Sequence, residues 1–164
     1  MKTRYIILLT ITFLIFSCAN PEKIELTKAI SIDWTNRNEL EKYEVLYVQL
    51  NFSPFLDEEI AGHGIEEFIY KDSIYILDNI DQTNLTEIIL DSSNFSRGEC
   101  GNFALNGGFI FTQNDTIKGI IEMGCGYSQW SFESWNENVL DGSLSDIGFE
   151  KMSDVLDDIN LKMN

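Results

Sequence analysis

The stretch FIFTQNDTIKGIIEM, residues 109–123, decides the fold predicted for this chain. Two runs of apolar, mostly aromatic and β-branched side chains flank a short polar segment, which is the pattern of a β-hairpin. Asn114 and Asp115 tolerate the left-handed backbone that a two-residue turn requires. That turn puts one set of side chains on one face, namely Ile110, Thr112, Ile117, Ile121 and Met123. The other face carries Phe109, Phe111 and Ile120. Because both faces are mostly apolar, we expect the hairpin to lie centrally in a sheet.

Further strands are predicted on both sides of this hairpin. Alternation over residues 43–52 indicates a strand with its apolar face at Leu46, Val48, Leu50 and Phe52. Residues 68–70 and 74–77 flank a three-residue polar connection and predict a second hairpin. Short strands are also expected over residues 30–34 and 129–132.

Two helices complete the prediction. Asn84 is a candidate N-cap, because Glu87 stands three residues later and an apolar stripe follows. The closing helix is indicated by apolar residues at helical spacing, which are Phe149, Met152, Leu156 and Ile159. Strands, a helix, strands and a helix in this order predict an α+β domain. We expect an antiparallel sheet built of hairpins, with two helices packed on one face.

The amino terminus has the pattern of an export signal. Two basic residues precede an apolar run, residues 5–16, that is too short to cross a bilayer of roughly 20 residues. Residues 14–18, LIFSC, resemble a bacterial lipobox. The resemblance implies a diacylglycerol on the sulfur of Cys18, cleavage after Ser17 and acylation of the new amino terminus. Alternatively, a signal peptide is cut near Ala19 and Cys18 is incidental.

The predicted organisation is therefore a signal peptide at residues 1–17, a lipidated cysteine and tether at 18–23, and one α+β domain at 24–164. With its helix, a loop containing Cys100, the hairpin, Cys125 and the closing helix, this domain resembles small lipoproteins of Gram-negative envelopes. That resemblance implies a place in the cell envelope, on the periplasmic or the outer-surface face of a membrane. It brings no catalytic residues with it.

The charge of the mature chain restricts its partners. It contains 27 acidic residues against nine basic ones, since the leader removes only Lys2 and Arg4, and its formal charge is −18. Nucleic-acid binding needs a basic footprint, so this class is excluded. The anionic surface of a membrane also repels such a domain, which leaves the lipid as its membrane contact. Basic proteins or cations are the partners that the charge favours.

Two cysteines, Cys100 and Cys125, remain after lipidation of Cys18. In an exported chain they form a disulfide or stay as two buried thiols. An extended chain would put Cys100 too far from Cys125, so the bridge requires residues 101–106 to fold back. A zinc site needs four ligands, and His63 is the sole histidine to join these thiols.

No other motif identifies a reactive site. His63 lacks a nucleophile or orienting partner at a recognisable spacing. The segment 141–146 has alternating oxygen side chains, but the calcium-loop glutamate is missing and a helix cap through Ser145 or Asp146 explains the pattern. We therefore predict no catalytic residue, no cofactor and no metal ligand.

Three functions stay open from the sequence. The first is a non-catalytic binding or scaffold domain anchored in the envelope by lipid. The second is an immunity-type inhibitor of a basic periplasmic toxin, and the third is an enzyme. Candidate contacts with a protein partner are Trp135, the aromatic residue expected to be exposed, and three acids on the outer side of the closing helix, Asp154, Asp157 and Asp158.

The lipid-anchor hypothesis predicts that Cys18→Ser releases the protein from membranes, because two or more acyl chains are what anchor it stably. The measurement is the fraction of protein in washed membranes, together with incorporation of a labelled fatty acid. Retention of the variant in washed membranes, with no label on the wild type, would contradict the hypothesis.

Overall fold

Three helices and eight strands build the domain in a computed structural model that describes residues 22–50, 64–71, 73–96, 105–133 and 142–163. The helices are α1 (Arg37–Leu40), α2 (Asn79–Leu90) and α3 (Asp146–Met163). The strands are β1 (Thr27–Lys28), β2 (Glu44–Gln49), β3 (Ile74–Ile76), β4 (Phe95–Ser96), β5 (Leu105–Gln113), β6 (Thr116–Gly124), β7 (Gln129–Glu133) and β8 (Gly142–Leu144). Two 3-10 helices, Ile65–Phe68 and Ser92–Asn94, lie between them. No described helix is long and apolar enough to cross a bilayer.

The predicted central hairpin is confirmed. Asn114 and Asp115 form the turn with φ angles of 50° and 56°, which these two residue types accept more readily than most. The strands run in the order β3-β2-β5-β6-β7-β8-β4, and every pair along this path is antiparallel. β1 lies beside the start of β6 and is parallel to it. The α+β class is therefore correct.

The sheet is buried on both faces. All three helices cover one face, which we call the helix face, and the sheet residues beneath them include Val45, Tyr47, Phe109, Phe111, Ile121, Met123, Trp130 and Phe132. The opposite face packs against the amino-terminal segment and the first 3-10 helix through Leu46, Val48, Ile65, Ile69, Leu105, Ile110, Ile117 and Ile120. This double burial explains why neither strand of the hairpin alternates with polar residues.

A β-bulge changes the predicted register of the hairpin. Thr112 pairs with Ile117 as expected, but Phe111 pairs with Gly119, so Lys118 has no partner on β5. The extra residue exchanges the two faces of the rest of β6. Ile121 and Met123 consequently lie with Phe109 and Phe111, whereas Ile120 lies with Ile110. The predicted faces of these three residues of β6 are therefore wrong.

Other local predictions are also corrected. Residues 68–70 do not pair with β3; β3 instead pairs with β2, because residues 65–68 form a 3-10 helix. α2 begins at Asn79 rather than near Asn84, since the carboxylate of Asp78 accepts hydrogen bonds from the N–H groups of Ile80 and Asp81. Residues 30–34 form no strand, although Ile32 and Trp34 are buried.

The closing helix is confirmed with one exception. Met152, Val155, Leu156 and Ile159 are buried on the helix face, but Phe149 is 44% exposed. The helix touches its neighbour through Gly148 instead, where a Cβ would collide with the carbonyl oxygen of Asn94. As expected, Ser145 caps the helix by accepting a hydrogen bond from the N–H of Gly148 at 3.2 Å.

One carboxyl group is partly buried on the face opposite the helices. Glu122 Oε1 accepts a hydrogen bond from the N–H of Ile65 at 3.0 Å. Burial raises the pKa of Glu122, and the nearby carboxylates of Glu66 and Glu133 act in the same direction. Those two carboxylates bind Lys28 instead, at 2.6 and 2.8 Å. No pattern in the sequence predicts this cluster.

We therefore expect Glu122→Gln to stabilise the protein at neutral pH, on the order of 1 kcal/mol for each unit by which the pKa is raised. A raised pKa in the folded state means that stability falls as pH rises from the ordinary carboxyl pKa through the folded one. The gain should therefore vanish in acid, below the ordinary carboxyl pKa. Chemical unfolding across pH measures this, with the exposed Glu25→Gln as the matched control. A gain that is equal at all pH values would contradict the assignment.

Candidate functional site

α2 and α3 pack side by side in antiparallel directions, and two lysines of α3 link their ends. Near the start of α3, Lys151 Nζ lies 3.4 Å from a carboxylate oxygen of Asp91 and 2.9 Å from Asn94 Oδ1. Near its end, Lys162 Nζ lies 2.8 Å from Asp78 and 2.7 Å from Asp81. Each lysine of the closing helix thus points back towards α2 or the turn that follows it.

The Lys162 contact is the more deeply placed of the two. The side chain of Asp81 is 1% exposed, and it also accepts a hydrogen bond from the hydroxyl of Tyr75 at 3.1 Å. Lys162 donates hydrogen bonds to Asp78 and Asp81, and these bonds raise the pKa of Lys162 well above the usual lysine range. A buried carboxylate needs such a cation, because leaving it unpaired in the interior is strongly unfavourable.

The acids on the outer side of α3 have no such cation. Five exposed carboxylates line that side, and we call them the acidic face: Asp146, Glu150, Asp154, Asp157 and Asp158. Within the described part of the chain, none of the five forms an ion pair. Four of them recur every fourth residue, from Asp146 to Asp158, and Asp157 follows Asp154 by three, so they form one stripe along the helix.

A shallow groove runs beside this stripe between α3 and α2. Asp154, Asp158 and Lys151 line it from α3, and Glu87, which is paired with Arg37 at 2.8 Å, lines it from α2. Ile88 and Val155 supply its apolar lining. An arginine or lysine of a partner would find a surface there for its aliphatic stem and the carboxylates of Asp154 and Asp158 for its charged end.

Leaving these charges unpaired has an energetic cost. Glu150, Asp154 and Asp158 follow one another at intervals of four residues, and like charges at that spacing destabilise a helix. Only the acids of the first turn are favoured by the helix dipole. The two lysines of α3 do not relieve this repulsion, because Lys151 binds Asp91 and Asn94 and Lys162 binds Asp78 and Asp81.

The structure places some of the predicted site residues and not others. Asp154, Asp157 and Asp158 are exposed on α3, as the helical pattern requires. Trp130 and Phe132 are 1% and 5% exposed, which confirms them as core residues rather than partner contacts. Four of the residues considered lie outside the described part of the chain: Cys18, His63, Cys100 and Trp135.

Two features of the acidic face were missed from the sequence. Glu87 lines the groove beside it only because α2 packs beside α3, a contact between residues more than 60 positions apart. The contacts of Lys151 could not be predicted either, since its partners Asp91 and Asn94 lie on the turn after α2.

The described residues contain no group of three or more side chains suited to holding a metal ion.

Cys125 forms a disulfide in the turn between β6 and β7. The turn is tightly bonded: the N–H of Gly126 donates to Asn106 Oδ1 at 2.8 Å, and the hydroxyl of Ser128 donates to the carbonyl oxygen of Cys125 at 2.8 Å. Cys125 itself has a φ of 53°, a strained value for this residue type. Pairing with Cys100 stays a prediction.

Comparison of the chain with protein-family models, with curated proteins and with solved structures returned no match. The site is therefore interpreted from its own geometry and charge.

If Cys100 is the partner of Cys125, Cys100→Ser and Cys125→Ser should lower the stability of the oxidised protein equally. Closing a loop of this length contributes on the order of 3 kcal/mol. Thermal unfolding measures the loss, and Cys18→Ser serves as the control that leaves the bridge intact. A titratable thiol in unreduced Cys18→Ser protein would contradict the pairing.

Proposed function

We propose that this chain is a lipid-anchored, non-catalytic binding protein of the bacterial envelope that captures a basic protein on its acidic face. The observation that carries the proposal is the set of five exposed carboxylates on α3 that have no cation partner among the described residues. The lipobox-like leader supports the anchor, and the mature charge of −18 supports a partner of opposite sign.

The negative charge of the acidic face would act mainly on the rate at which the basic partner associates. Opposite potentials steer diffusing partners towards each other and favour one orientation over others. The groove beside the acidic face then offers short-range contacts, with its apolar lining from Ile88 and Val155. An anchored protein with these properties would hold a diffusing basic protein at the membrane surface.

The concentration of acids on one helix favours a second, more specific candidate. An inhibitor that neutralises a basic toxin needs a dense acidic patch, whereas a general scaffold has no such requirement. α3 supplies that patch, and its two lysines pair with Asp91 and Asp81 rather than with the five acids of the patch. We therefore keep the immunity-type inhibitor as the alternative to the scaffold.

The proposal predicts that Asp154→Asn, Asp157→Asn and Asp158→Asn together slow capture of the partner at least tenfold at low salt, because they remove attraction without removing core contacts. The Cys18→Ser protein and its variants first capture proteins from periplasmic extract, and association rates are then measured with the recovered protein. The matched control neutralises three exposed acids that lie away from α3, Glu25, Glu44 and Asp115, and should change the rate much less.

Three further outcomes bear on the proposal. An association rate that falls steeply with salt supports it, since screening weakens attraction between exposed charges. A neutral or acidic partner, or a rate that is independent of salt, would overturn capture by charge. Loss of a toxic activity of the captured protein on binding would select the inhibitor over the scaffold.

A further inference from the structure

A second groove lies on the opposite face of the sheet, where the amino-terminal segment crosses it. We call it the N-terminal groove. Its apolar lining consists of Ile24, Leu26, Leu46, Ile74 and Ile76, and its polar lining consists of Lys42, Glu44 and residues 112–115 of the central hairpin. It encloses about 460 Å³, which is within the range of pockets that hold small molecules.

The apolar lining comes from three separate elements. Leu46 of β2 and Ile74 of β3 belong to the core of this face, and Ile24 and Leu26 pack against the same core from the amino-terminal segment. Ile76, at the end of β3, is 53% exposed. An edge strand with an exposed isoleucine beside an open apolar groove leaves a surface that an apolar ligand would cover.

The polar residues exclude a negatively charged ligand. Glu44 and Asp115 place two carboxylates at the groove. The one lysine there is already engaged, since Lys42 Nζ lies 2.9 Å from Glu39 Oε1 and 4.7 Å from the centre of the Tyr43 ring. A free fatty acid or a phosphate headgroup would therefore meet repulsion, whereas an apolar chain with a neutral ester or amide would not.

The amino-terminal segment is fixed where it enters the groove. The N–H of Ile24 donates to the carbonyl oxygen of Ile69 at 2.9 Å, and Lys23 forms a β-bridge with Tyr70. Cys18 precedes Ile24 by six residues, a distance that an extended chain spans in at most about 20 Å. An acyl chain on Cys18 is thus within reach of the groove.

We propose that the N-terminal groove holds an acyl chain in a neutral linkage, and that the lipid on Cys18 is its occupant. This inference rests on the lipid anchor of the proposed function. Each methylene transferred from water into the groove contributes about 0.8 kcal/mol. The arrangement shelters one acyl chain of the lipoprotein whenever it is away from a bilayer, and the remaining chains stay available for anchoring.

The test uses the full chain with Cys18→Ser, which lacks the lipid, and a fluorescent monoacylglycerol as the probe. We expect this protein to bind the probe and Ile76→Glu to weaken binding at least tenfold, because a carboxylate would stand in the apolar lining. Ile80→Glu is the matched control: Ile80 is 68% exposed in the first turn of α2 and does not line the groove. Equal melting temperatures verify that both variants fold.

The lipidated wild type identifies the occupant. Failure of the wild type in detergent to bind the probe supports occupation by its own lipid. Equal binding by wild type and Cys18→Ser would overturn that occupant and assign the groove to lipid from the membrane. If Cys18→Ser binds no probe, or if Ile76→Glu and Ile80→Glu bind equally, the groove proposal fails. Failure of the lipid anchor is measured separately, by membrane retention of Cys18→Ser.

Discussion

The bulge at Lys118 is the local constraint on which the rest of the fold depends. Its carbonyl oxygen accepts hydrogen bonds from the N–H groups of both Ser31 and Ile32, at 2.9 and 3.0 Å. The amino-terminal segment is therefore fastened to β6 at the point where the register changes. Beyond the bulge, the ring of Trp34 lies directly against Gly119, where a Cβ would collide with it. The bulge therefore fixes the amino-terminal segment, residues 31–34, against β6 at the residue where the two faces of the strand exchange.

The elements most reliably predicted were those whose pattern is set by local chemistry. Asn114 and Asp115 determine a turn through their own backbone preferences, and the stripe from Met152 to Ile159 requires only helical spacing. The bulge at Lys118 could not be predicted, because it arises from hydrogen bonds to residues almost 90 positions away. The start of α2 was misplaced as well. The spacing of Asn84 and Glu87 indicates a cap, but the carboxylate of Asp78 caps the helix six residues earlier.

In the candidate site, too, local features could be predicted and features that depend on tertiary contacts could not. Exposure of Asp154, Asp157 and Asp158 is a property of one helix and could be predicted from its apolar stripe. Their lack of counter-ions is a property of the packing, since Lys151 is held by Asp91 and Asn94. Both lysines of the helix stay exposed, but each is bound to an acid or amide outside the acidic face, so the five carboxylates have no partner on their own helix.

The two surfaces lie on opposite sides of one sheet, and this separation connects the two proposals. Side chains alternate along β2, so Leu46 faces the N-terminal groove while Val45 and Tyr47 face the helices. In the proposed arrangement, lipid therefore approaches from the side where the chain enters the domain, and α3 lies on the far side of the sheet. An acidic face beside the bilayer would experience repulsion from anionic lipid within a Debye length of about 8 Å. Placing it across the sheet keeps its field directed towards the aqueous compartment, where a basic partner diffuses.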